Sequence, residues 1–310
     1  MGAQLRVYRR QIRATQSTQK ITKAMELIAA SRIVKAQSRV NQARPYVREL
    51  TRALAALGQD ASLQHPMLTG VDNPRRAGIL VITSDRGLAG GYSSNAIKTA
   101  NELAERLRAD GKEPVLYVIG RKGVGYFRFR RIPYTDSWTG FSEQPNFVDA
   151  RAATETVVAA LLATSNGESH GEPGIDELHV VYTRFESMVT QTATSAQVSP
   201  VSIEEATESA EEEAQDGPKP AYEFEPEPTE LLAELLPRYV SARIFSALLE
   251  SAASESAARR RAMKSASDNA GDLIRTYTRL ANQARQAEIT QEISEIVGGA
   301  DALASAGSDY

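Results

Sequence analysis

The sequence contains no cysteine and only three histidines among its 310 residues. The missing thiols exclude disulfides and thiolate metal ligands, and they fit a reducing compartment. His65, His170 and His179 lack the HExxH type of spacing, so we expect no metal site. A GxSxG nucleophile motif is also missing. We therefore expect neither catalytic residues nor a cofactor in this chain.

Long apolar runs are missing as well. No stretch of about eighteen apolar residues occurs, so the sequence predicts no membrane-spanning helix. The N-terminus, MGAQLRVYRRQIRA, lacks the apolar core of a secretory signal, and we expect it to be mature sequence. The composition, 42% hydrophobic and 24% charged, is typical of globular proteins.

Charge is unevenly distributed along the chain. The formal net charge is only −3. Residues 1–57 nevertheless hold twelve Lys and Arg against two Glu, while residues 204–230 hold eleven Asp and Glu against one Lys. A basic segment of this kind is either a solvated face or a contact surface for an acidic protein, an anionic membrane or nucleic acid. Nucleic acid is the least favoured partner, because no aromatic residues interleave with the charges.

The two ends of the chain show the periodicity of long helices. Between Leu231 and Val297 apolar or small residues recur every three or four positions, which predicts one long helix with a continuous stripe. Pro237 should kink this helix or separate a short leading helix. Residues 3–57 show the same period. Two matched terminal helices favour a coiled coil, because each stripe needs a long partner.

A strict heptad set in the first helix is polar in its middle. Its members are Leu5, Ile12, Gln19, Glu26, Ile33, Val40, Val47 and Leu54. We predict that the buried seam shifts there to Ile21, Met25 and Ile28, as at a stutter.

The middle of the chain alternates between short apolar runs and helical patterns, which predicts a Rossmann-like α/β domain inserted between the terminal helices. The whole fold is thus predicted as α/β with a long coiled coil. Five segments are expected: an N-terminal helix (1–58), a linker (59–76), the α/β domain (77–203) with an exposed loop at 164–176, an acidic connection and foot (204–228), and a C-terminal helix with its tip (229–310).

The glycine-rich segment Ser84–Asn95 follows the first strand, where an α/β fold often binds phosphate. It matches neither GxGxxG nor GxxxxGK[ST], which argues against a nucleotide site. Asp85 and Arg86 could form a local ion pair in this turn. A coiled-coil scaffold that binds a nucleotide or another anion here remains the main alternative function, and a basic nucleic-acid-binding protein is a weaker one.

Four segments together resemble the gamma subunit family of the rotary ATP synthase. They are STQKITKAMELIAASRIVKAQ (17–37), ITSDRGLAGGYSSN (82–95), SESAARRRAMKSASDNA (254–270) and ARQAEITQEISEIVGGA (284–300). The resemblance implies that the terminal helices pair antiparallel. It also implies a non-catalytic rotor of the central stalk of a proton-driven complex. Its partners would be the alpha, beta and epsilon subunits and the c ring, at the cytoplasmic face of the bacterial membrane.

The resemblance also implies roles for particular residues. Contacts with a catalytic beta subunit are implied for Arg285, Gln286, Thr290, Glu292, Arg259, Lys23 and Met25. Contacts of the foot with the c ring are implied for Tyr222 and Glu225. The segment 164–176 is longer than the corresponding connection in the family, and we expect it to touch a neighbouring subunit and tune hydrolysis or coupling.

Overall fold

The computed structural model describes residues 2–57, 65–169, 171–201 and 227–306. The helices are α1 (Gly2–Leu57), α2 (Pro66–Thr69), α3 (Tyr92–Ala109), α4 (Arg121–Arg130), α5 (Phe147–Ala163) and α6 (Pro228–Ala306). The strands are β1 (Arg76–Ile82), β2 (Glu113–Ile119), β3 (Asp136–Trp138), β4 (Glu168–Ser169), β5 (Glu172–Pro173), β6 (Glu177–Phe185) and β7 (Gln191–Ser199). The described helices include none that is both long and apolar enough to cross a membrane.

The chain forms two compact units. One consists of residues 1–28 and 260–310, the other of residues 29–259. The first contains the beginning of α1 and the last part of α6. The second contains the rest of both helices and all the strands named above. The mixed α/β class with long terminal helices is as predicted.

The second unit is built on a five-stranded sheet in the order β3-β2-β1-β6-β7. β3, β2, β1 and β6 run parallel, and β7 pairs antiparallel with β6. Successive side chains of β1 point to opposite faces of the sheet, as strand geometry requires. Leu80 and Ile82 join the core formed with α1, α5 and α6, whereas Ile79 and Val81 join the core under α3 and α4. The central strands are therefore covered on both faces.

The seam of α1 does not shift. Ile21 and Ile28 are 58% and 53% exposed, while Thr22 and Glu26 are both 8% exposed. The strict heptad positions thus stay on the inner face, and the predicted stutter is wrong. The polar members are accommodated individually: the Gln19 amide donates to the Ser267 carbonyl at 3.3 Å, and Glu26 pairs with Lys23 at 3.0 Å.

Two further local predictions need correction, and a third is narrowed to one of its alternatives. α6 is continuous through Pro237, so the alternative of a separate leading helix is wrong, while the alternative of a kink at Pro237 stays a prediction. Asp85 pairs with Arg121 instead of Arg86. The segment predicted as an exposed loop ends in buried residues, because Ile175 is 0% and Asp176 is 4% exposed.

One predicted segment contains an additional helix, and another lies mostly outside the described residues. The predicted linker contains α2, where Met67 is almost completely buried. Tyr222 and Glu225, with most of the acidic connection at 204–228, lie outside the described residues.

Candidate functional site

The last part of α6 carries the predicted head-contact residues. Arg285, Gln286, Thr290 and Glu292 are all exposed on this helix. Every residue from Arg285 to Ala300 is exposed except Glu288, which is half-buried. We call residues 285–297 the tip. Its side chains are accessible to another molecule.

The tip also exposes apolar side chains. Ile289, Ile293, Ile296 and Val297 are between 45% and 71% exposed. With about 3.6 residues per turn, these residues fall on the same side of the helix as the four predicted contact residues. A helix face that combines exposed isoleucines with polar groups indicates a contact surface, not a solvated one.

Lys23 and Met25 lie on α1 in the same unit. Lys23 is exposed and Met25 is half-buried. The nearby Gln19 lies opposite Ser267 of α6, to whose carbonyl it donates. Arg285 is roughly 27 Å further along α6 than Ser267, at 1.5 Å per residue. The structure therefore does not bring Lys23 and Met25 together with the tip.

Arg259 has a different environment. It lies in the other unit and is 5% exposed. Its guanidinium pairs with Glu255 at 2.7 Å and with Glu143 at 3.2 Å, and it donates to the Gly87 carbonyl at 3.3 Å. The Nη2 atom makes the hydrogen bonds, whereas Nη1 faces Glu143 only as an ion pair and has no hydrogen-bond partner among the described residues. Arg259 thus differs from the exposed tip residues, and its contact with a beta subunit stays a prediction.

A cluster of charged residues surrounds Arg259, and it was not predicted from the sequence. We define the ion cluster as Arg32, Arg86, Glu143, Glu255 and Arg259. The Glu143 carboxylate pairs with Arg32 of α1, with Arg86 at 3.6 Å and with Arg259 of α6. These residues are far apart in sequence, and only SESAARRR (254–261) hinted at the cluster, by spacing Glu255 and Arg259 four residues apart on a helix.

The position of Glu143 follows from the turn after β1. The Asp85 carboxylate accepts hydrogen bonds from the backbone N–H of Gly140 at 2.8 Å, Ser142 at 3.0 Å and Arg121 at 3.1 Å. In return, the Asp85 N–H donates to the Ser142 hydroxyl at 2.8 Å. Asp85 thus holds the loop before α5 in place. Asp85 belongs to the segment Ser84–Asn95, the predicted candidate for phosphate binding. Its polar groups hold this loop instead.

Burial raises the pKa values of two acidic groups at or near the ion cluster. The Glu255 side chain is fully buried, and this burial raises the pKa of its carboxyl, while the neighbouring Arg259 opposes the rise. Burial likewise raises the pKa of Tyr92, which lies beside Glu255. The described residues contain no group of three or more potential metal ligands. The chemistry of this site is ion pairing inside the protein.

The fold resembles those of chains in solved ATP synthase structures. One structure, from the Euglena gracilis mitochondrial ATP synthase (OSCP/F1/c-ring), aligns with a TM-score of 0.66 at 17% identity, covering 100% of this chain and 97% of that one. Another, from the Tetrahymena thermophila mitochondrial ATP synthase (central stalk/c-ring), gives 0.55 at 23% identity, covering 80% and 99%. The fold is therefore one that this chain shares with chains of solved mitochondrial ATP synthases.

Sequence comparisons identify the family. A family model described as ATP synthase matches residues 4–303. ATP synthase gamma chains from Salinispora tropica and Streptomyces coelicolor are 58% and 54% identical over the full length of both chains. The chain belongs to the ATP synthase gamma chain family. As the resemblance implied, it is a non-catalytic subunit of the complex.

Proposed function

We propose that this chain turns as the rotor of a bacterial ATP synthase, inside a head of alpha and beta subunits and on a c ring, with an epsilon subunit bound to it. The exposed tip supports this proposal most directly. Arg285, Gln286, Thr290 and Glu292 contact a catalytic beta subunit. The exposed isoleucines beside them lie against the inner wall of the head.

The mechanism needs no covalent chemistry in this chain. A shaft whose faces differ contacts three identical catalytic sites differently, and at each angle it favours another conformation of each site. A difference of about 1.4 kcal/mol in contact energy changes such an equilibrium tenfold. Guanidinium and amide groups such as those of Arg285 and Gln286 supply differences of this size through charge-assisted hydrogen bonds.

Further contacts complete the proposal. Lys23 and Met25 meet a beta-subunit loop at another level of the shaft, and Tyr222 and Glu225 meet the polar loops of the c ring. The five segments expected from the sequence, from the N-terminal helix at 1–58 to the C-terminal helix at 229–310, are the parts of this proposed rotor. In this proposal the complex lies at the cytoplasmic face of the cell membrane, and this subunit is peripheral to that membrane.

A double substitution tests the role of the tip. Changing Arg285 and Gln286 together to Ala should lower ATP hydrolysis by the assembled complex, because contacts that bias the catalytic sites are lost. The matched control changes Gln291 and Glu295 to Ala, since this pair lies on the opposite side of the same helix and is joined by a 2.9 Å hydrogen bond. Normal turnover in the Arg285/Gln286 variant, with assembly intact, would contradict the assignment.

Recovery of partners separates this proposal from its alternatives. A pull-down of the tagged full chain from membranes should recover alpha and beta subunits. Nucleotide binding by the isolated chain without those subunits would favour the anion-binding scaffold. Steeply salt-dependent association with nucleic acid would favour the third candidate.

A further inference from the structure

Glu143 occupies a central position in the ion cluster. Its side chain is 14% exposed, yet three arginines approach its carboxylate. Arg32 belongs to α1, Arg86 to the turn after β1, and Arg259 to α6. A single carboxylate in the loop between β3 and α5 therefore joins the sheet domain to both long helices.

The geometry of this junction is directional. Oε2 of Glu143 faces Arg32 and Arg86, whereas Oε1 faces Arg259 at 3.2 Å. Arg259 is further held by the Glu255 carboxylate and by backbone carbonyls of the turn. Apolar packing between the sheet and the helices resists separation but is not directional. Arg32 donates a charge-assisted hydrogen bond to Glu143, and the geometry of such a bond is directional. The ion pairs with Arg86 and Arg259 add attraction toward the same carboxylate.

The loop that carries Glu143 is itself held in place. Reciprocal bonds between Asp85 and Ser142 attach it to the end of β1. Ser142 is 4% exposed and directly precedes Glu143. The path from the central strand to the two helices thus runs through Asp85, Ser142 and Glu143. A force on the sheet domain reaches α1 and α6 along this path.

We propose that Glu143 is a positioning residue that locks the sheet domain to α1 and α6, so that rotation of the domain is passed to the helices under load. This inference rests on the rotor function proposed above. Without the lock, the domain and helices shift against each other when the load is high. Unloaded turnover in the head depends on the tip and is retained.

Glu143→Gln tests the lock, because it keeps the shape of the side chain and removes its charge. In membrane vesicles containing the whole complex, two rates are measured: ATP hydrolysis with an uncoupler, and ATP-driven proton pumping against a gradient. We expect near-normal uncoupled hydrolysis and a severalfold lower ratio of pumping to hydrolysis. Glu113→Gln is the matched control, since Glu113 is 62% exposed and pairs with Arg76 at the other end of the strands.

The outcomes separate a positioning role from a merely structural one. If Glu143 only stabilises the fold, both rates fall together with the amount of assembled complex, and their ratio is unchanged. An unchanged ratio overturns the proposal. Glu143→Asp keeps the charge and should restore part of the ratio. Should Glu143→Gln fail to assemble, Arg32→Gln loosens the contact with α1 alone, and it should lower the same ratio to a smaller extent.

The tip variant distinguishes this proposal from the one it rests on. If the Arg285/Gln286 variant lowers turnover while Glu143→Gln leaves the ratio unchanged, the rotor function stands and the lock does not. If the tip variant has normal turnover, the proposed function itself is contradicted.

Discussion

Replacing Arg259 by Met should destabilise the chain in a way that depends on pH. The change removes the partner of Glu255, whose side chain has 0% exposure and whose carboxylate lies 2.7 Å from the guanidinium. An isolated ionised carboxylate is not tolerated in such a site, and the group takes up a proton instead. The pKa of Glu255, which burial already raises, should therefore rise further.

The size of the effect follows from this proton uptake. In the unfolded chain the carboxyl has its ordinary pKa of 4.5 and is ionised at pH 7. Protonating it on folding costs up to about 3 kcal/mol at pH 7, at 1.36 kcal/mol per unit. That value agrees with the roughly 3–5 kcal/mol seen when one partner of a buried ion pair is removed.

The sign of the pH dependence is fixed by the same linkage. The folded variant binds one proton more than the unfolded chain, so its stability falls as pH rises above 4.5 and until the folded pKa is passed. The slope reaches about 1.4 kcal/mol per pH unit. The pKa of Glu255 is raised in the unsubstituted chain too, but less than in the variant, so the loss relative to that chain grows with pH and should be greater at pH 8 than at pH 6.

Urea unfolding of the full chain at pH 6 and pH 8, followed by circular dichroism, measures this loss. Arg238→Met on the same helix is the control, because Arg238 forms an exposed pair with Glu234 and such pairs contribute less than about 1 kcal/mol. Adding Glu255→Leu to Arg259→Met removes the buried acid and should recover most of the stability. Equal losses at both pH values, or a double variant no more stable than the single one, would refute the reasoning.

Three other predictions concern the sheet domain. Gly120→Ala should destabilise the chain strongly, because Gly120 has φ +98° and a Cβ there would overlap the Thr83 carbonyl. Gly125 lies in open space on α4, and Gly125→Ala should stabilise the chain by up to about 1 kcal/mol. Urea unfolding of both variants measures the difference. Burial alone would raise the pKa of Asp176, but hydrogen bonds from the N–H groups of Ser165, Arg75 and Arg76 lower it overall. Asp176→Asn should therefore cost stability at neutral pH, and this loss should become smaller as pH falls below 3.8. Thermal unfolding at pH 7 and pH 3 measures the loss, and an equal loss at both pH values would contradict the prediction. Deleting residues 166–173 keeps the buried end of that segment and should change hydrolysis or coupling while the domain stays folded; unchanged synthesis and hydrolysis would exclude a role for the loop.

The terminal helices and the sheet were predictable because their patterns are local. Apolar residues at helical spacing predict α1 and α6. Continuous apolar runs predict β1 and β2 as buried parallel strands, and β6 matches its predicted bounds. The three-residue strand β3 escaped prediction, because it has too few residues to show a period.

The seam of α1 shows where local patterns fail. Counting apolar residues favoured Ile21, Met25 and Ile28 as the buried set. The structure buries Thr22 and Glu26 instead, and Gln19 reaches the backbone of α6 beside Gly271, the residue there that has no side chain. Whether a polar residue fits in a seam depends on what the partner helix places opposite it, and this information lies about 250 positions away in the chain.

The candidate sites divide in the same way. The tip could be predicted from sequence, since it is one stretch of one helix whose contact residues follow one another closely. The ion cluster could not, because Arg32, Glu143 and Arg259 become neighbours only when a loop, fixed by Asp85, is placed between two helices from opposite ends of the chain. By itself the sequence determined the helices, the parallel strands and the family. Only the tertiary structure decided which charges meet, because ion pairs act over a few ångströms and the sequence contains no record of those distances.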